Sequence, residues 1–84
     1  MTASEPHIDY PRSWQFTLFG SDEDAMRADV ERVLAGRRFT LDFSRRSSGG
    51  KYLSLMVELE VGGSAERDFV WNQLHGLDSV IHVL

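Results

Sequence analysis

The sequence predicts an α+β domain whose elements run β, α, β, β, α, β, and three observations carry that reading. Apolar residues alternate in the runs 14–18, 39–43 and 53–61; two other stretches repeat theirs at helical spacing; and glycines stand at the junctions. The alternation has the period of two that puts successive side chains on opposite faces of a strand.

The chain is 84 residues long, enough for one core and too short for two. A domain of this size buries only about 60–65% of the surface its unfolded chain exposes, so covering more apolar area by association would stabilise it. A net charge of −4 and a pI near 5.2 disfavour broad binding to a phosphate backbone, which needs a basic surface. Nucleic acid is therefore disfavoured as a partner. The absence of cysteine excludes disulfides, thiolate nucleophiles and cysteine metal sites. The first thirty residues show no signal-peptide pattern, and no apolar run approaches the roughly 18–20 residues of a membrane span. The expectation is a cytoplasmic protein with no membrane association.

Residues 1–12 mix small and polar side chains with Pro6 and Pro11 and read as a flexible tail; residues 13–84 form the single domain. From Ser13, the residues Trp14, Phe16 and Leu18 share one face of a strand, and Gln15, Thr17 and Phe19 the other. Gly20 ends it. Ser21 is an N-cap candidate, followed by Asp22, Glu23 and Asp24 at the positive end of a helix. Met26, Val30, Val33 and Leu34 form the buried stripe of that helix, and Gly36 supplies a left-handed stop.

Phe39, Leu41 and Phe43 restart the strand period, and Arg45-Arg46-Ser47-Ser48-Gly49-Gly50 breaks it as a hairpin turn. The next strand is the longest: Leu53, Leu55, Val57, Leu59 and Val61 alternate with Ser54, Met56, Glu58 and Glu60. Gly62-Gly63 closes it, and Ser64 is a cap candidate for a second helix. Val70, Leu74 and Leu77 form that helix's core stripe, with Phe69 at its margin and Trp71 further round. Gly76 stops it, and Val80 to Leu84 read as a last strand too uniformly apolar to orient. Two right-handed βαβ units then give a four-stranded antiparallel sheet of order 4-1-3-2 with both helices on one face, the ferredoxin-like sandwich.

Tyr10-Pro11, the strand end Phe19-Gly20, the block Ser47-Ser48-Gly49-Gly50-Lys51-Tyr52-Leu53-Ser54 and the ending Val80-Ile81-His82-Val83-Leu84 resemble the YbeD-like family, small bacterial proteins of undefined function. The resemblance covers roughly residues 8–84. Its most specific part is Ser-x-x-Gly-x-Tyr-x-Ser, matched by Ser47, Gly50, Tyr52 and Ser54. The first helix and the loop after it look shorter than is usual in the family, and Arg46 stands where a proline commonly precedes the serine pair. The resemblance implies a fold similar to ACT regulatory domains, which often bind small effectors at subunit interfaces. Such sites usually involve the turn after the first strand, here Gly20 and Ser21.

Two groups of residues are candidates for a site. Arg45, Ser47, Ser48 and Gly50, with Arg46 and Lys51, present amides and cations that suit an anion, although a solvated turn uses the same residues. Gly20 and Ser21 open a helix whose N–H groups favour an anion, but the three acids that follow oppose one. The second group lies on the sheet face away from the helices, where Thr17, Phe19, Tyr52, Ser54 and Met56 project. Ile81 and Val83 would enlarge this patch if they point the same way, and Trp71 would extend a contact along the second helix. Singly exposed apolar residues are also normal on a solvated face, and the tail would cover Phe19, which accounts for the same residues equally well. His7, His75 and His82 lack metal-site spacing, and neither a cofactor motif nor an acid/base pair stands out.

The sequence thus points to a non-catalytic regulatory or adaptor module, acting through protein contact, self-association as a dimer, or a small effector. Single-stranded RNA binding is the alternative, because RNA-recognition motifs share this topology and stack bases on sheet aromatics. Glu58 and Glu60 on the third strand oppose it. An acylphosphatase-like enzyme would need a glycine-bounded phosphate loop after the first strand, which is missing.

Overall fold

The structure, a computed structural model, describes residues 12–84. Its elements are β1 (Arg12–Gly20), α1 (Glu23–Val33), β2 (Phe39–Arg46), β3 (Leu53–Val61), α2 (Ser64–His75) and β4 (His82–Val83). The sheet order is β2-β3-β1-β4, antiparallel throughout, which is the expected 4-1-3-2 read from the other edge. This is a ferredoxin-like α+β fold. The first strand begins at Arg12, one residue before the expected boundary, and the tail expectation for residues 1–11 lies outside the described residues.

Along β1 and most of β3 the alternation seen in the sequence is the alternation of burial, whereas in β2 Phe39 and Leu41 are half-buried and Phe43 is exposed. Phe16 and Leu18 of β1, and all five odd residues of β3 from Leu53 to Val61, meet Met26 and Val30 of α1, Leu34 at its C-cap, and Val70 and Leu74 of α2 in one core. Fully burying a side chain of this kind is worth about 1.5–3 kcal/mol, so the core is the main source of stability. Leu77, Val80 and Val83 close it from beyond α2. Val83 lies opposite Leu18 on the buried side and does not join the open face; Ile81 is exposed.

Both helix starts differ from the sequence reading. Asp22 caps α1, its carboxylate accepting from the amide of Ala25 at 3.1 Å, while Ser21 lies exposed in the turn. Strand pairing explains the shift: β1 stays paired through Gly20, opposite Leu53, so the helix begins later. Ser64 is the first residue of α2 and not its cap. Gly63 takes the cap position without a side-chain bond, and Glu66 reaches back to accept from the amide of Gly62 at 2.6 Å. The same carboxylate takes a 2.6 Å bond from Arg37 after α1, tying the two crossovers together. Gly36 has φ +88°, the left-handed conformation expected of it.

The last strand is shorter than the run Val80–Leu84. Only His82 and Val83 pair as strand, and Thr17 exchanges both backbone hydrogen bonds with Leu84, at 3.0 and 2.8 Å. Val80 instead donates back to Leu77 in a turn. Ser79 in that turn donates to Asp29 of α1 at 2.7 Å, so the approach to β4 is fixed on the helix side.

Candidate functional site

Strand register brings part of each predicted group together. Arg45 lies opposite Ser54, Ser54 opposite Phe19, and Phe19 opposite His82, giving one row across all four strands on the face away from the helices. A bulge between Phe43 and Arg45 sets this row, because the extra residue, Ser44, shifts the pairing and re-aims Arg45. At the hairpin end of the row is a depression of about 100 Å³ lined by Phe19, Arg45, Ser47, Tyr52, Leu53 and Ser54.

The hairpin itself is held by local bonds. Ser47 donates its amide to the carbonyl of Tyr52 at 2.8 Å, and its hydroxyl accepts from the amide of Tyr52 at 3.1 Å. Gly50 donates to the carbonyl of Ser47 at 2.8 Å and has φ +74°, which accounts for glycine there as turn geometry. The Lys51 ammonium lies 5.3 Å from the centre of the Tyr52 ring. Ser54 is 2% exposed although it is on the open face: it forms the floor of the depression. Phe19 stacks on His82 with ring centres 6.1 Å apart, extending the aromatic surface to β4.

The remaining predicted residues fall elsewhere. Thr17 and Met56 pair in the next row, half-buried, with Asp42 on the far side of Met56. Ser48 is exposed in the turn and does not line the depression. Trp71 belongs to the helix side, where it stacks on His75 at 4.6 Å and lines a separate hollow with Trp14, Phe16 and Arg67. It stands on the second helix, apart from the open-face residues. His82, which spacing could not orient, joins the row because it pairs with Phe19.

The turn after β1 is filled. A Cβ on Gly20 would stand 2.5 Å from the Met26 sulfur and 2.5 Å from the Ser79 carbonyl oxygen, so glycine is required there by close approach. With Asp22 already accepting from Ala25, Gly20 and Ser21 open a capped helix and not a vacant anion cradle. Among the described residues no group of three His, Cys, Asp or Glu side chains is arranged to hold a metal, and no helix is long and apolar enough to cross a membrane.

The sequence profile of the family described as Protein of unknown function (DUF493) matches residues 5–84. The chain belongs to this family. It is the YbeD-like family whose Ser-x-x-Gly-x-Tyr-x-Ser block forms the hairpin and the floor of the depression. An uncharacterized protein of Helicobacter pylori is 27% identical over 82 residues, which span 98% of this chain and 95% of that protein. The solution structure of a Helicobacter pylori protein, 27% identical, superposes with a TM-score of 0.80 over 98% of this chain and 90% of that one. The ACT domain from GTP pyrophosphokinase of Chlorobium tepidum superposes with a TM-score of 0.62 at 12% identity, over 86% of this chain and 94% of that domain. This last likeness establishes that the YbeD-like chain has an ACT-like fold, and the fold alone.

Proposed function

We propose that this YbeD-like chain is a non-catalytic regulatory or adaptor module of the cytoplasm that acts through the open face of its sheet. The observation that supports this reading is the depression where Phe19, Tyr52, Arg45, Ser47 and Ser54 converge. Rings, hydroxyls and one guanidinium are groups that hold a ligand or partner residue; aromatic side chains and arginine are also the types enriched where proteins meet. The helix face, by contrast, is occupied by the core. The ACT-like fold is compatible with a regulatory role without establishing one.

Single-stranded RNA is the second reading, favoured locally by Phe19 and Tyr52 beside Arg45 and Lys51 on one sheet face. Glu58 on that same face and the net charge of −4 weigh against it. Affinity capture from native lysate with the wild type and with Arg45→Glu separates the possibilities. Proteins retained by the wild type and lost with the folded variant support the adaptor reading. Identical capture by both contradicts it, and salt-sensitive retention of single-stranded RNA replaces it with the alternative.

A further inference from the structure

We propose that the depression at the hairpin end of the open face is a site for a small anion carrying a planar apolar body, the anionic head on Arg45 and the body across Ser54 against Phe19. The inference deepens the binding-module reading and rests on it. Three features of the row define the ligand's chemistry. First, the row runs from a cation on β2 to an aromatic pair on β1 and β4, with the buried Ser54 between them as a floor. Adjacent strands lie about 4.8 Å apart, so the span from Arg45 to Phe19 is two strand spacings, roughly 10 Å between backbones, and less between side-chain tips. A single ring with one anionic substituent matches that length.

Second, the depression is small, about 100 Å³, which is on the scale of a single ring. Third, the charge is one-sided. Arg45 is the charged residue of the lining, Lys51 adds a second cation beside Tyr52, and the carboxylates on the open face, Asp42, Glu58 and Glu60, belong to other rows. An aromatic cation would have no counter-charge there. A free small molecule and an acidic aromatic group on a protein partner present the same chemistry, and the experiment below distinguishes them.

Phenyl phosphate, inorganic phosphate, benzyl alcohol and benzylamine are titrated into the isotope-labelled full chain, and amide chemical shifts are followed by NMR. The expected result is saturable perturbation of Phe19, Ser47, Tyr52 and Ser54 by phenyl phosphate alone, weakened at least tenfold by Arg45→Glu, in line with loss of a charge-assisted contact. Phe19→Leu, which keeps the row apolar, is expected to weaken binding while preserving the spectrum of the fold. Perturbation by inorganic phosphate equal to that by phenyl phosphate, or binding unchanged in Arg45→Glu, overturns the proposal. If none of the four probes binds but partner capture still depends on Arg45, the small-molecule site is rejected and the adaptor reading stands. If neither binding nor Arg45-dependent capture is found, both fall.

Discussion

The guanidinium of Arg27 in α1 donates to the backbone carbonyl of Leu41 in β2 at 3.3 Å. The direction of that carbonyl follows from the hydrogen-bond phase of the sheet. Thr17 pairs with Leu84, so the even residues of β1 bond to β3; β3 then turns its own even residues to β2, and Leu41 faces the outer edge. Arg27 thus fills an acceptor that an incoming strand would need, and Glu23 at 2.9 Å holds it there. Exposed sheet edges invite strand addition, and occupied or charged ones resist it.

Arg27→Ala is therefore expected to raise concentration-dependent self-association, measured by light scattering behind a sizing column. The cost to the fold is small, below about 1 kcal/mol, because the ion pair is partly solvated. Self-association equal to the wild type's at high concentration would show that the edge is guarded by something else.

Gly20→Ala should destabilise the domain by about 1–3 kcal/mol in urea unfolding, since the new methyl meets the backbone of Ser79, which cannot swing aside as the Met26 side chain can. A neutral substitution would mean that the loop before β4 yields easily.

Phe69 and Leu74 lie on the same helix and separate exposure from burial: Phe69 is 55% exposed and Leu74 is fully buried. Leu74→Ala should cost about 2–5 kcal/mol, enough to threaten so small a domain. Phe69→Ala should stay within about 0.5 kcal/mol. Equal effects in thermal unfolding would contradict the burial pattern.

Stability should fall on the acid side through two carboxylates. The hydroxyl of Ser79 and then Arg32 hold Asp29 below its ordinary pKa of 3.8; the Gly62 amide and then Arg37 hold Glu66 below 4.5. A group depressed in the folded state contributes fully above its unfolded pKa, and the contribution is lost as pH falls from there through the folded value. Asp29→Asn and Glu66→Gln should each flatten the decline in stability below about pH 4.5 and leave its slope near neutrality unchanged. An acid limb as steep as the wild type's would assign the decline to other groups.

The sequence exposed some of this architecture and hid the rest for identifiable reasons. Alternation placed β1 and β3 because each has one buried face, and Gly36 marked the left-handed exit from α1. Val80 to Leu84 carries no polar contrast, so only pairing with Thr17 and Phe19 orients it. Ser21 and Asp22 are equally good caps, and the extent of β1 decides between them. Phe19, Arg45, Ser47, Tyr52 and Ser54 were each legible as candidates, but their convergence depends on the bulge at Ser44 and on Gly20 facing Leu53, neither of which has a local signature. The burial of Ser54 had none either, since a serine in an alternating strand reads as solvated.

Whether the chain works through its open sheet face is decided by site-specific photo-crosslinking in the native cell. A photoreactive phenylalanine analogue replaces Tyr52, at the depression, or Phe69, on the helix side and the more exposed of the two. Action through that face gives discrete adducts from position 52 that disappear with Arg45→Glu, and none from position 69. Adducts from position 69 alone, or the same adducts from both, would contradict it.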